Sequence, residues 1–156
     1  MCKIRGFKMK KLRHAIFAVV YAVTNGKIDY AILKRKKHWV GWEFTKGKIE
    51  KFEFKRTAAR REAMEETGLK ILKLKRFHID GMYRYKRKLK DRPGIIGQTY
   101  HLFAAKARKG KIKVDKKEHS YGKWMSYEEA MKKLTWEDQK KCLIIVNDWI
   151  NKKLLS

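Results

Sequence analysis

Glu62, Glu65 and Glu66 stand at a spacing that a helix turns into one charged arc. At about 100° per residue the three carboxylates fall within roughly a third of the circumference. Like charges three and four positions apart on a helix repel one another, so helix stability alone gives no reason for them. Hard oxygen donors converging on one arc are what a divalent cation such as Mg²⁺ requires. Gly47, Glu53, Arg61 and Gly68 surround them at fixed intervals: Gly47, five positions, Glu53, seven positions, then Arg61-Glu62-Ala63-Met64-Glu65-Glu66-Thr67-Gly68-Leu69. Read as an ordinary solvated charged helix, the segment has no cause for that spacing.

The 23 residues from Gly47 to Leu69 resemble a complete box of the Nudix hydrolases. The resemblance implies an α/β fold, a curved mixed β-sheet in an α/β/α sandwich, spanning residues 1–156 as one domain. It also implies phosphoanhydride hydrolysis with Mg²⁺ or Mn²⁺ as cofactor. That reaction asks for charge neutralisation on phosphates, an activated water and positioning. The matching positions make Glu62, Glu65, Glu66 and the carbonyl of Gly47 the expected metal ligands. Arg61 and Glu53 are expected to orient the loop and the ligand carboxylates. With Glu65 and Glu66, the first expectations for the general base, they form the expected catalytic set.

Glu118 is the alternative base and a further expected metal ligand. Lys117-Glu118-His119, ahead of Tyr121-Gly122-Lys123-Trp124, resembles a segment of the diadenosine tetraphosphate hydrolase branch whose glutamate reaches the metals. In that branch Lys46 matches a lysine that faces substrate phosphates, and Trp42 the aromatic before it. Tyr83 and Tyr85 alternate with Arg84 and Lys86, a pattern suited to stacking on a nucleotide base. Two positions depart from the family pattern. Thr45 stands where proline is common, and Phe52 where a glycine favours positive φ, so the loop is expected to take a different path.

Three substrate classes follow. Trp42, Lys46 and the Glu118–Trp124 segment favour a dinucleoside polyphosphate. Gly97-Gln98-Thr99-Tyr100-His101-Leu102-Phe103 resembles a strand of the RNA 5′-end pyrophosphohydrolase branch, which makes RNA the alternative partner. Cleansing of damaged nucleoside triphosphates has no dedicated signal here. A basic RNA-binding module without catalysis would be marked by a missing glutamate, and Glu62, Glu65 and Glu66 are all present.

The net charge of +26 is extreme and suits a polyanion. The lysines, however, run through Lys8–Lys11, Lys34–Lys37, Tyr85–Lys90 and Lys106–Lys117, which fits a generally basic surface better than a dedicated track. Six of the sixteen acids (Glu43, Glu50, Glu53, Glu62, Glu65, Glu66) fall in one segment, so an acidic site is set in a basic body. With 44% hydrophobic residues and 12% aromatics, disorder is excluded. Cys2 and Cys142 form neither a metal-ligand spacing nor a disulfide framework, so a reducing cytoplasm is expected. The basic stretch before Ala15–Val23 imitates a leader, but no small-x-small site follows and nine apolar residues are too few to span a bilayer. No membrane association is expected, and the oligomeric state stays open.

These residues need elements to position them. Ala15–Val23 reads as a buried strand, and Asn25-Gly26 as a tight turn into Ile28–Arg35. A helix is expected over Lys55–Thr67, ended by Gly68, with Ala58, Ala59 and Ala63 small enough to lie close on a sheet. Ile71–Tyr85 reads as one or two strands, Lys86–Gly97 as an exposed basic loop and Gln98–Ala107 as a strand. Ser126-x-x-Glu129 and Thr135-x-x-Asp138 are capping-box patterns for two helices. The second should pack Cys142, Ile145, Val146, Trp149 and Ile150 on the core.

Overall fold

The computed structural model describes residues 11–156. Cys2 and Lys8–Lys10, singled out above, lie outside the described residues. Strand β1 (Lys11–Thr24) turns through Asn25 and Gly26, both at positive φ (51° and 76°), into β2 (Lys27–Arg35). Two left-handed central residues match the right-handed twist of a hairpin, and Asn-Gly is the pair that adopts them most readily. The leader-like run is the buried middle of β1.

Two short strands follow, β3 (Gly41–Glu43) and β4 (Thr45–Lys48), then helix α1 (Lys55–Thr67). Strands β5 (Ile71–Arg84), β6 (Ile95–Ala107) and β7 (His119–Met125) precede helices α2 (Tyr127–Lys133) and α3 (Glu137–Leu154). The seven strands form one mixed sheet in which β1 and β6 run parallel and the other pairs antiparallel.

The sheet forks where the site is built. β1 and β2 bond each other only near the hairpin, from Tyr21↔Tyr30 to Thr24↔Lys27. Beyond it, β1 takes β4 as partner (Ala15↔Lys48 to Ala18↔Thr45), while β2 takes β3 (Leu33↔Glu43 to Arg35↔Gly41). β7 pairs with β2 as well. The junction of β3 and β4 therefore wedges Glu43, Phe44 and Thr45, all buried, into the fork.

Alternation along the central strands gives each sheet face its own core. Ile16, Ala18 and Val20 with Phe103 and Ala105 meet Ala58, Ala59 and Ala63 of α1. Phe17, Val19 and Tyr21 with Tyr100 and Leu102 meet Cys142, Leu143, Val146 and Ile150 of α3. Helices thus cover both faces, the α/β/α arrangement expected. α1 ends at Gly68, whose N–H donates to the Met64 carbonyl at 2.8 Å.

Several details differ from expectation. β5 is one strand, with irregular register between Arg76 and Asp80, and Tyr85 lies just past its end. β6 begins at Ile95, so the basic loop is shorter than 86–97. Ser126 caps α2 by accepting from the Glu129 N–H at 3.2 Å. Thr135 does not cap α3, whose N-cap is Trp136, because its hydroxyl accepts the Trp42 N–H at 2.9 Å and serves the fork instead. Among the described residues no helix is long and apolar enough to cross a membrane.

The loop into α1 keeps a left-handed turn despite lacking the glycine. Phe52 itself takes φ 63°, the third residue of a turn closed by the Glu53 N–H on the Glu50 carbonyl at 3.0 Å. Its side chain points into solvent, 94% exposed. A left-handed L-residue costs about 1–2 kcal/mol, and glycine in the unfolded chain gives back about 0.4–1 kcal/mol of that. Phe52→Gly should therefore stabilise the protein by up to about 1 kcal/mol in urea denaturation; a destabilised variant would contradict the strained turn.

Candidate active site

Helix α1 lays its alanines on the sheet and turns its carboxylates toward the fork. Glu66 is buried, Glu62 half-buried and Glu65 exposed. A Cβ on Gly47 would fall 2.0 Å from the Glu62 carboxyl carbon, so only glycine lets β4 approach this side chain. Arg61 ties the helix to the preceding loop. Its Nε and Nη2 grip both oxygens of Glu53 (2.8 and 2.9 Å), and Nη2 also donates to the Lys48 carbonyl at 2.9 Å. Its Nη1 reaches Glu62 at 2.8 Å and Glu65 at 3.2 Å. The geometry fits the orienting task expected of Arg61 and Glu53.

Carboxylate oxygens of Glu66 and Glu118 and a ring nitrogen of His119 all lie within 4.8 Å of one another. Glu65 is not brought into this group; it is 58% exposed and held outward by Arg61. Glu118 precedes β7, where its carbonyl accepts the Lys36 N–H at 2.9 Å, and its Oε2 sits 3.7 Å from Arg35 Nη1. Burial, then the charges of Glu43, Glu62 and Glu118, push the Glu66 carboxyl well above its ordinary range. Burial raises Glu62 too, against the Arg61 hydrogen bond. Glu66 Oε2 is buried without a hydrogen-bond partner. Crowded acids and an orphaned oxygen are what a divalent cation would satisfy, so the residues fit a metal held by Glu66 and Glu118, with Glu62 and Gly47 adjoining.

Beside this cluster the fork buries a network that sequence reading missed. Glu43 on β3 accepts from Arg35 Nη1 on β2 at 3.0 Å and from His119 Nε2 on β7 at 2.8 Å, and pairs with Lys46 Nζ on β4 at 3.2 Å. Burial alone would raise the Glu43 carboxyl, but Lys46, the His119 hydrogen bond and Arg35 bring it down to about 2. Burial lowers Lys46, partly opposed by Glu43. The one available signal was the acid-rich segment that included Glu43; nothing in spacing joins residues 35, 43 and 119.

Lys46 also borders a cavity of about 410 Å³ shared by Trp39, Tyr83, Tyr85 and Trp136. Its Nζ lies 3.4 Å from the Tyr83 hydroxyl and 5.4 Å from the Trp39 ring centre. Trp39 meets Trp136 edge-on at 5.2 Å. The basic loop folds over this cavity, with Lys86, Arg87 and Arg92 among its lining. Arg92 donates to the Tyr85 hydroxyl at 2.8 Å, and Asp91 meets His38 Nε2 at 3.0 Å. Tyr83, Tyr85 and Lys46 thus come together, whereas Trp42 lies outside the lining. Its ring packs edge-on against Tyr121 at 5.3 Å, and Trp39 and Trp136 are the tryptophans at the cavity.

The chain matches the family described as NUDIX domain over residues 12–144. No curated protein matches it in sequence. Among solved structures it is similar to a binary complex of the C. elegans Ap4A hydrolase (TM-score 0.73, 21% identity, 90% of this chain and 99% of that one). It is similar also to the E. coli dihydroneopterin triphosphate pyrophosphohydrolase (0.69, 20%, 85% and 95%). A third is the NUDIX domain of Shewanella oneidensis NrtR complexed with ADP ribose (0.72, 12%, 90% and 90%). At these identities the likeness concerns the fold.

The raised Glu66 carboxyl gives a stability signature with a definite sign. The unfolded chain ionises this group near its ordinary value of 4.5, below the folded value, so the folded state binds more protons between the two. Its contribution is present in acid and is lost as pH rises from about 4.5 through the raised folded value. The metal-free protein should therefore lose this contribution as pH rises above about 4.5, and Glu66→Gln should flatten that slope and raise the melting midpoint on its alkaline side. A slope unchanged in Glu66→Gln would contradict the burial of an ionisable Glu66.

Proposed function

This chain belongs to the Nudix family and is a pyrophosphohydrolase, and from that premise we propose that it hydrolyses a dinucleoside polyphosphate. The observation that carries the reading is the wall shared by the aromatic cavity and the acidic cluster. Lys46 lines the first, and its Nζ pairs at 3.2 Å with Glu43 beside the second. A nucleoside held in the cavity thus directs its phosphates past Lys46 and Arg35 toward Glu66 and Glu118. The cavity volume falls within the roughly 300–1,000 Å³ of small-molecule sites. Trp39, Tyr83 and Trp136 offer aromatic surface to a base, and the cations of the 86–92 loop offer charge to the phosphates.

Nudix hydrolases generally use divalent metals, and we assign Mg²⁺ or Mn²⁺ here, held by Glu66, Glu118 and Glu62 with the Gly47 carbonyl adjoining. When bound, such an ion neutralises phosphate charge and activates a water. Of the clustered carboxylates, Glu66 is buried and Glu118 is 31% exposed. Its greater exposure supports Glu118 as the carboxylate that takes the proton of the attacking water. Arg61 fixes the orientation of Glu62 and holds Glu65 away from the cluster. Lys46 and Arg35 bind phosphate oxygens, and the cavity excludes water from the base. Cys142, buried as a free thiol, suits the reducing cytoplasm that completes this reading.

The cations lining the cavity from the basic loop favour a second substrate, the triphosphorylated 5′ end of RNA. One competition decides between them: equal amounts of diadenosine tetraphosphate and 5′-triphosphorylated RNA, incubated with Mg²⁺ and analysed for products. ATP plus AMP should appear from the dinucleotide, and Glu66→Gln should lower that rate by roughly 100-fold or more. Trp39→Ala should raise KM by about tenfold, as expected for lost base stacking. Faster loss of phosphate from the RNA would transfer the assignment to the second substrate.

A further inference from the structure

Between the acidic cluster and the Glu43 network lies a histidine that neither the box nor its glutamates account for. His119 is completely buried, at the first position of β7, where pairing with Arg35 of β2 fixes its place. Its Nε2 meets Glu43 Oε1 at 2.8 Å. Glu43, already paired with Arg35 and Lys46, can only accept there, so the ring hydrogen sits on Nε2. The other ring nitrogen, Nδ1, is buried with no hydrogen-bond partner. Glu66 Oε2 is a second buried atom without one. A buried polar atom left unpaired is costly, and both belong to residues of the same cluster.

We propose that His119 is a nitrogen ligand to the cation held by Glu66 and Glu118, with Glu43 fixing the tautomer and orientation of its ring. The proposal rests on the reading that Glu66 and Glu118 hold an ion. Two donors on opposite sides of an ion, each about 2.0–2.3 Å from it, lie about 4.0–4.6 Å apart. Carboxylate oxygens of Glu66 and Glu118 and a ring nitrogen of His119 lie within 4.8 Å of one another, so only a small contraction and the turn of a carboxylate separate the cluster from ligand spacing. A carboxylate that accepts the imidazole N–H while the other ring nitrogen faces a metal is a recurrent means of fixing both tautomer and basicity. Imidazole also changes which ion the site prefers. Mg²⁺ and Mn²⁺ suit oxygen donors, whereas later first-row ions such as Co²⁺ and Zn²⁺ gain more from imidazole nitrogen. His119 thus moves an otherwise all-oxygen site toward the borderline transition ions.

Electron spin echo spectroscopy of the full chain loaded with one equivalent of Mn²⁺ tests this without reference to turnover. Wild type should show nitrogen modulation from a directly bound imidazole, and labelling histidine with ¹⁵N should change its frequencies. Glu66→Gln should lose the bound ion and the modulation together, which places the signal at this cluster. His119→Asn should keep Mn²⁺ but lose the nitrogen signal, and its preference for Co²⁺ over Mg²⁺ should fall roughly 10–100-fold. Mn²⁺ that depends on Glu66 but carries no nitrogen modulation in wild type would overturn the ligand assignment and leave the carboxylate site standing. Mn²⁺ binding indifferent to Glu66→Gln would overturn the carboxylate site, and the ligand with it. Because the decisive spectrum is that of wild type, a His119 variant that fails to fold removes nothing from the test.

Discussion

Four carboxylates, Glu43, Glu62, Glu66 and Glu118, crowd into and beside one fork of a sheet, and two of them are fully withdrawn from water. Desolvation and mutual repulsion both oppose such an arrangement. The fold meets that cost asymmetrically. Glu43 is surrounded by Arg35, Lys46 and His119 and stays ionised. Glu62 receives Arg61. Glu66 receives no cation of its own, and its carboxyl is raised accordingly. The place without compensation is where a divalent cation belongs.

The fork makes this distribution mechanically sound. A single continuous β1–β2 pairing would leave no opening for Glu43, Phe44 and Thr45. Because β3 and β4 part, one to β2 and one to β1, Glu43 and Lys46 converge from separate strands upon the same charge network. Gly47 then lets Glu62 come close, and the alanine face of α1 sets how deep Glu66 sits. The aromatic cavity shares Lys46 with this network, so the cavity wall and the acidic cluster rest on one set of buried contacts. Changes at the cavity wall should therefore be felt at the cluster.

Much of this was legible in the sequence because it is local. The arc of Glu62 and Glu66, the alanine face, the Asn25-Gly26 turn and the Ser126 cap all depend on residues within a few positions of each other. What escaped reading is what depends on pairing between strands. Arg35, Glu43 and His119 meet only because β2 pairs with both β3 and β7. Trp39 and Trp136, nearly a hundred positions apart, meet by packing and line the cavity, while Trp42 lies outside its lining. Thr135 carried a correct-looking cap signature yet bonds Trp42, since the strand N–H competes for the same hydroxyl. Phe52 shows the converse: a local rule favours glycine there, and the surrounding turn imposes the left-handed backbone on a phenylalanine.

Glu66 is buried against other acids, and a cation bound beside it would favour its ionised form. Calorimetric titration of Mn²⁺ into the metal-free protein, near neutral pH in two buffers of different ionisation enthalpy, measures the protons released per ion bound. The heat should depend on the buffer, showing net proton release, with both the release and the affinity reduced in Glu66→Gln. Buffer-independent heats, with equal affinity in wild type and Glu66→Gln, would contradict that reading.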